Sequence, residues 1–377
     1  MRALILRIHL WIGLTAGAVL AFVGLTGSLY VFQPELTVAL YPELYKASKP
    51  ESAPVEVRTI VQNAEAQFGG KVTNINFPVR ELENYILKVK GNKQWLFFDA
   101  GTGLYLGQME KRRGLLDDLL DLHRHLTLGE AGSGITGTCA LLLAFVLLSS
   151  GLFLWLPKKR RQLKDGLRLK PGASFKRRNY DIHNVFGFYF GLPLFLAAIT
   201  GAYFAFPNGT QKTVDTLTLA QEETPDVKKL KSEYRADAEA LTVYQALDLM
   251  EGRYGTYVKR TLVMPADSVG HIAFTYLREK GLAAGPQYRP MVYLDQYDGS
   301  ILYEYNPVTA PTGRQIVRNW FVPIHFGEIG GFLTRVLWFI LGLLPGVLWV
   351  TGILIWTGKN KKKKRSLPVS AGRGAVA

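Results

Sequence analysis

Polar and apolar positions alternate along this chain in blocks too long for an ordinary soluble domain. Four stretches, residues 8–32, 134–156, 183–206 and 332–356, are almost continuously apolar. A helix crosses a hydrocarbon core of ~30 Å with about 20 residues, so each stretch is long enough to span a bilayer. Between them the period changes. Residues 54–68 and 241–254 repeat apolar positions every three to four, which predicts amphipathic helices. Singly alternating segments follow: 71–79, 85–89 and 94–98 after the first, 257–264, 271–278 and 290–294 after the second. That period of two predicts strands. Both series close in a glycine-bearing turn and a last strand, from Asp99 to Tyr105 and from Asp295 to Tyr303.

The pattern predicts an α-helical membrane protein, a four-transmembrane-helix bundle carrying two α+β domains. The expected segments are a first transmembrane helix (1–32), a first domain (33–133), a second helix (134–156) and a basic loop (157–182). A third helix (183–206), a second domain (207–331), a fourth helix (332–356) and a basic tail (357–377) complete the chain. The first apolar stretch is too long for a signal peptide, and no small-residue cleavage site precedes Gln33-Pro34-Glu35, so it reads as an uncleaved anchor.

Charge fixes the direction. The net charge is +15, but it is concentrated. Residues 157–182, the tail after Trp356 and the N-terminal Arg2 and Arg7 hold 19 of the 45 basic residues and only two acidic ones. Basic clusters beside apolar runs are the positive-inside signature, whereas a nucleic-acid binder interleaves its charges on a folded face. Nucleic acid is therefore excluded as a partner. Both termini and the 157–182 loop are placed in the cytoplasm, and the two domains outside. The lone Cys139 lies in an apolar stretch and reads as a packing residue.

The chain also repeats itself. Offset by 174 residues, His9, Gly13, Gly17, Thr26, Gly27 and Phe32 correspond to His183, Gly187, Gly191, Thr200, Gly201 and Phe206. Six ungapped matches that include a histidine argue against chance. The second and fourth stretches match more loosely. Each follows a histidine and a Gly-Glu pair (Gly129-Glu130, Gly327-Glu328), and each ends in Ser/Thr-Gly-x-x-x-Trp, Ser150-Gly151 to Trp155 and Thr351-Gly352 to Trp356. The expectation is an internal duplication, two helix–domain–helix units inserted in the same orientation.

Five of the six histidines flank these stretches. His9 and His183 begin two parallel helices, and His123 or His125, together with His325, precede the antiparallel pair. That gives one histidine pair per membrane face. Ionisable residues in a membrane are costly and usually functional, and imidazole is a common transition-metal ligand. Gly13 and Gly17 clear the face below His9, and Gly27, five turns on, returns to that face near the other surface. Gly187, Gly191 and Gly201 repeat the arrangement under His183. Such helices would leave slots for a planar porphyrin with axial imidazoles. A compact Zn or Cu site wants three or four clustered donors, and only Asp121 and Asp181 stand near, at the rims. Arg7, Arg124 and Arg335 could pair with propionates or simply snorkel. Trp11, Phe22, Phe188, Tyr189 and Trp349 are packing residues that could bridge the layers. Trp95, Phe97, Phe98, Tyr276, Tyr288 and Tyr293 read as strand core, with a docking surface as the other role. His271 reads as structural.

The assembled motifs resemble the PepSY-associated transmembrane family of bacterial iron-regulated inner-membrane proteins. They are Ile8-His9 to Gly13 with Thr26-Gly27, Leu122-His123-Arg124 with Gly129, Ile182-His183 to Gly187 with Thr200-Gly201, and Ile324-His325 to Gly327 with Thr351-Gly352 and Trp356. Within that family the chain is similar to siderophore reductases of ferrioxamine-type iron uptake. The resemblance implies PepSY modules in the two outside domains, two haem b groups, and reduction of an imported ferric siderophore on the periplasmic side. It also implies His123 rather than His125 as the ligand before the second span. No nucleotide or flavin motif occurs, so an external donor, a quinol or a cytoplasmic reductase, is expected. The competing expectation is a non-catalytic envelope protein whose PepSY modules bind a peptide or partner.

Overall fold

The computed structural model describes residues 1–48, 55–79, 83–157, 163–219, 225–277 and 288–365. Lys158 to Arg161 of the basic loop, Pro54, Arg278 and Arg373 of the tail lie outside the described residues. Two compact units emerge. A helical unit contains residues 1–28, 122–206 and 338 onward, and a sheet-bearing unit contains residues 29–121 and 207–337.

In chain order the elements open with α1 (Arg2–Tyr30), α2 (Gln33–Leu40), α3 (Pro42–Tyr45) and α4 (Val57–Phe68). Strands β1 (Val72–Asn76), β2 (Tyr85–Val89), β3 (Trp95–Phe98) and β4 (Tyr105–Met109) follow. Then come α5 (Leu115–His125), α6 (Gly129–Leu141), a π-helical stretch (Leu142–Leu147), α7 (Leu148–Trp155) and the short α8 (Leu163–Gly166). Next are α9 (Phe175–Tyr189), α10 (Gly191–Ala205), α11 (Pro207–Leu217) and α12 (Val243–Tyr254). The chain ends with β5 (Val258–Val263), β6 (His271–Leu277), β7 (Met291–Asp295), β8 (Ile301–Tyr305), α13 (Thr312–Gln315), α14 (Val322–Phe326) and α15 (Phe332–Arg365).

Among the described residues, three helical runs are long and apolar enough to cross a membrane: Arg2–Tyr30, Gly129–Trp155 and Phe332–Gly358. A fourth crossing exists if α9 and α10, bent by 62°, count as one span. The single third helix expected over 183–206 is thus two helices. Pro193 explains the break: it has no N–H and its ring crowds the carbonyl of Tyr189, four residues back, where α9 ends. His183 also lies mid-helix rather than at a helix start, because Ser174 caps α9 nine residues earlier, accepting the Arg177 N–H.

Inside the helical unit, α1 and α15 meet through small residues. A side chain at Gly24 or Gly342 would collide with backbone of the other helix, and Ser28 Oγ donates to the Phe339 carbonyl at 2.8 Å. Close backbone approach of this kind is the usual contact between helices in lipid. At Gly137, α6 packs equally closely on Ala205 and Phe206. Cys139 is buried with Ala16, Leu20 and Leu147, a packing residue as expected.

The sheet-bearing unit differs from the expectation of two separate sheets. All eight strands form one antiparallel sheet in the order β4-β3-β2-β1-β5-β6-β7-β8. The seam is β1 against β5, with Ile75 opposite Leu262 and Asn76 opposite Thr261. Each four-stranded half would otherwise leave a bare edge, an open row of N–H and C=O groups. Pairing the two edges satisfies both. Helices α4 and α12 cover one face, where Ile60, Val61, Ala64, Ala246, Leu247 and Met250 pack on Ile75, Leu87, Leu96, Leu262, Ile272 and Leu294 in one continuous core. Phe97 and Ile86 face the other way, against Leu44 and Tyr45. Phe97, Phe98 and Tyr276 are fully buried and serve as core. His271 is structural, its Nδ1 3.0 Å from the Leu230 carbonyl.

Two aspartates lock the hairpin turns at the ends of β3 and β7. Asp99 Oδ1 accepts the N–H groups of Gly101 and Thr102 at 2.9 and 2.7 Å, and its other oxygen accepts from Ser48. Asp295 Oδ1 likewise accepts Tyr297 N–H at 2.8 Å, and Oδ2 accepts Glu233 N–H at 3.1 Å. Burial alone would raise the Asp99 carboxyl, but the Ser48 and Thr102 donors outweigh it and hold it at about 2. A depressed carboxyl stabilises above its ordinary titration range and loses that contribution as pH falls from about 4 toward 2. Asp99→Asn should remove it at all pH values. We expect a loss of about 2 kcal/mol, read as faster hydrogen exchange in β3 and β4 at pH 7, with the wild type approaching the variant toward pH 2.

Candidate functional site

His9, on α1, and His183, on α9, approach each other inside the helical unit. Their ring centroids are 6.4 Å apart and the ring planes stand at 85°. Each ring is held from behind by a hydroxyl on a different helix. His9 Nδ1 lies 2.8 Å from Ser150 Oγ on α7, and His183 Nδ1 lies 2.9 Å from Thr351 Oγ1 on α15. The glycine after each hydroxyl residue leaves room for the ring. A Cβ at Gly151 would sit 3.2 Å from His9 Cε1, and one at Gly352 would sit 3.5 Å from His183 Cε1. Asn179, one turn before His183, donates to the Thr351 carbonyl at 3.0 Å and so ties α9 to the same turn of α15.

With both Nδ1 atoms engaged, Nε2 is the nitrogen each ring has left to offer. An octahedral ion held between two coaxial imidazoles, with metal–nitrogen bonds of about 2 Å, separates ring centres by about 6 Å. The observed 6.4 Å matches that arrangement. No cluster of three or more His, Cys, Asp or Glu side chains suited to a metal exists among the described residues. Two imidazoles alone suit an ion whose remaining ligands come with a planar cofactor.

The predicted glycines divide. A Cβ on Gly187 would meet nothing within 4 Å, and those on Gly13 and Gly191 would make only ordinary contacts with Leu147 and Leu148. Gly17 is different. A Cβ there would sit 3.0 Å from Trp349, whose ring fills that face and whose indole N–H donates to the Leu14 carbonyl at 3.0 Å. Gly27 backs the ring of His123, where a Cβ would come within 2.6 Å of Cε1. His123 Nδ1 lies 2.9 Å from the Val23 carbonyl and 3.4 Å from Thr26 Oγ1. His125 instead contributes its backbone: its carbonyl accepts Leu128 N–H at 2.7 Å in a turn where Leu126 and Thr127 have positive φ. His325 lies on α14 in the sheet-bearing unit, beside Phe326, and Gly201 lies on α10.

Arg335, for which propionate pairing and snorkelling were both open, is bound within the sheet-bearing unit. It makes two 2.6 Å bonds to Glu35, donates to the Val31 carbonyl and covers Phe32. Arg124 lies over the Phe204 ring. Sequence reasoning used Ser150 and Thr351 only as marks of repetition; the recurrence of a hydroxyl residue before glycine was the available signal. It missed Arg289 entirely. This half-buried side chain of the sheet-bearing unit has a buried Nε without a hydrogen-bond partner, and burial followed by the nearby Arg260 lowers it to about 9.

A family model described as the PepSY-associated TM region matches residues 6–359. The chain belongs to this family. A search of curated proteins finds no match. The PepSY-associated family assignment agrees with a multi-pass membrane protein carrying an α+β domain, and its match takes in both histidine helices and both Ser/Thr-Gly motifs.

The glycine contacts yield a paired test. In cofactor-free protein, Gly27→Ala should force the His123 ring off Val23 and lower stability by about 1–3 kcal/mol. Gly187→Ala, with open space before it, should leave the unfolding midpoint unchanged or slightly raised.

Proposed function

We propose that this protein is a di-haem b-type electron-transfer protein of the bacterial inner membrane that reduces a ferric siderophore in the periplasm. The observation that carries the reading is the His9–His183 pair, two imidazoles 6.4 Å apart and near-perpendicular, each anchored through Nδ1. These two residues would hold one haem. His123 and His325, which stand at corresponding places before the second and fourth spans, would hold the other. Haem b, when bound, supplies a one-electron couple.

The chain's own groups do the rest. Hydroxyls on α7 and α15 orient the first imidazole pair, and the Val23 carbonyl orients His123. Gly187 leaves open space one turn past His183, and Gly13 and Gly191 add no side chain of their own beside Leu147 and Leu148. In the reaction, a quinol or cytoplasmic reductase gives up an electron and the siderophore-bound Fe(III) gains it. The chelator survives intact, because its hard oxygen ligands hold Fe(II) far less well. The clustering of basic residues supports cytoplasmic termini and periplasmic α+β segments. The equal lengths of α4 and α12, the four strands after each, and the matched turns of Asp99 and Asp295 support an origin by duplication.

The test is the visible spectrum of protein purified from haem-replete cells. Reduction should sharpen a Soret and an α band at about two haems per chain. His9→Ala or His183→Ala should each remove one haem, and His325→Ala the other. A colourless, folded wild-type protein would overturn the reading in favour of a non-catalytic membrane protein.

A further inference from the structure

Resting on that reading of the first histidine pair, the geometry points to Ser150 and Thr351 as its positioning residues: each hydroxyl accepts the Nδ1 proton of one imidazole and thereby leaves Nε2 as the ligating nitrogen.

Proton accounting supports the assignment. A hydroxyl carries one proton and two lone pairs. Ser150 Oγ donates its proton to the Val146 carbonyl, 2.5 Å away, one turn back on its own chain. Thr351 Oγ1 does the same to the Val347 carbonyl at 2.7 Å. Only lone pairs remain for the imidazoles, so the nitrogen facing each hydroxyl must carry the proton. Both rings are therefore fixed in the Nδ1–H tautomer.

The device occurs twice with the same parts. Each copy has a hydroxyl residue, then a glycine that admits the ring, on a helix facing the one that bears the histidine. A packing role alone would need neither the hydroxyl nor its position against Nδ1. An acceptor behind a ligating imidazole raises the basicity of the ligand and favours the more oxidised metal, and removing such a partner commonly costs about tenfold to a hundredfold in affinity.

Nitrogen-15 histidine NMR of the full chain in nanodiscs, prepared without haem, reads the tautomer directly. The wild type should show His9 and His183 as Nδ1–H. Ser150→Ala and Thr351→Val should each give a mixed population at the histidine they face, and Ser150→Thr and Thr351→Ser should restore it. In haem-loaded protein, Ser150→Ala and Thr351→Val should shift one midpoint potential in the positive direction and weaken binding of that haem about tenfold or more, while the hydroxyl-retaining swaps stay near wild type. An Nε2–H tautomer in the wild type, or a potential and affinity indifferent to both hydroxyls, overturns the assignment. Absence of haem from the wild type would defeat the proposed function instead, and the tautomer measurement would still stand on its own.

Discussion

An imidazole placed among apolar helices has one N–H that must find an acceptor, and the helical unit is arranged around that requirement. Leaving such a group unpaired costs about 1–3 kcal/mol. His9 finds its partner on α7 and His183 finds its partner on α15. The two bonds therefore tie α1 to α7 and α9 to α15. The Gly24–Gly342 crossing ties α1 to α15, and Gly137 brings α6 against α10. Polar bonds fix rotation about each helix axis, while the small residues fix separation. Apolar packing in lipid would do neither alone, because lipid tails compete with any apolar face.

The sheet-bearing unit follows the same rule with different groups. Its unpaired edges are the outer sides of β4 and β8, because β1 and β5 satisfy one another. One continuous core beneath α4 and α12 then replaces two small ones, and a larger core buries a greater share of its surface. Ionic contacts cross this core's rim: Arg58 of α4 pairs with Asp248 of α12. The two halves thus share an edge, a core and a salt bridge.

Much of this was legible in the sequence, and the limits have physical causes. Apolar runs of twenty or more residues have few alternatives to spanning helices, and period-two runs broken by glycine turns have few alternatives to strands, so both stand near their expected places. The bend between α9 and α10 was written in Pro193, which the repeat comparison passed over because the first helix has Val19 there. The β1–β5 seam was invisible, since edge pairing between segments some 180 residues apart leaves no local pattern. Side-chain commitments were equally hidden. Arg335 looked available until Glu35, 300 residues away, claimed it, and Gly17 looked like an empty face until Trp349 filled it.

Distance sets the remaining demand on the proposed function. Along α1, His123 packs at Val23 and Gly27 while His9 lies near the helix start, a rise of about 21–27 Å at 1.5 Å per residue. Of the aromatics with a bridging position in the sequence, Trp349 is seated between these levels. It rests on Gly17 and is bonded to Leu14, which puts it about 8–12 Å along the axis from His9. Its indole meets Gly17 at Cδ1 and donates its N–H to Leu14, so the glycine that was expected to stay clear is where it packs. On the proposed reading, Gly17 departs from Gly187 for a reason: the face beside Gly187, one turn past His183, is open for a cofactor, and the face between the two levels is filled by an aromatic ring.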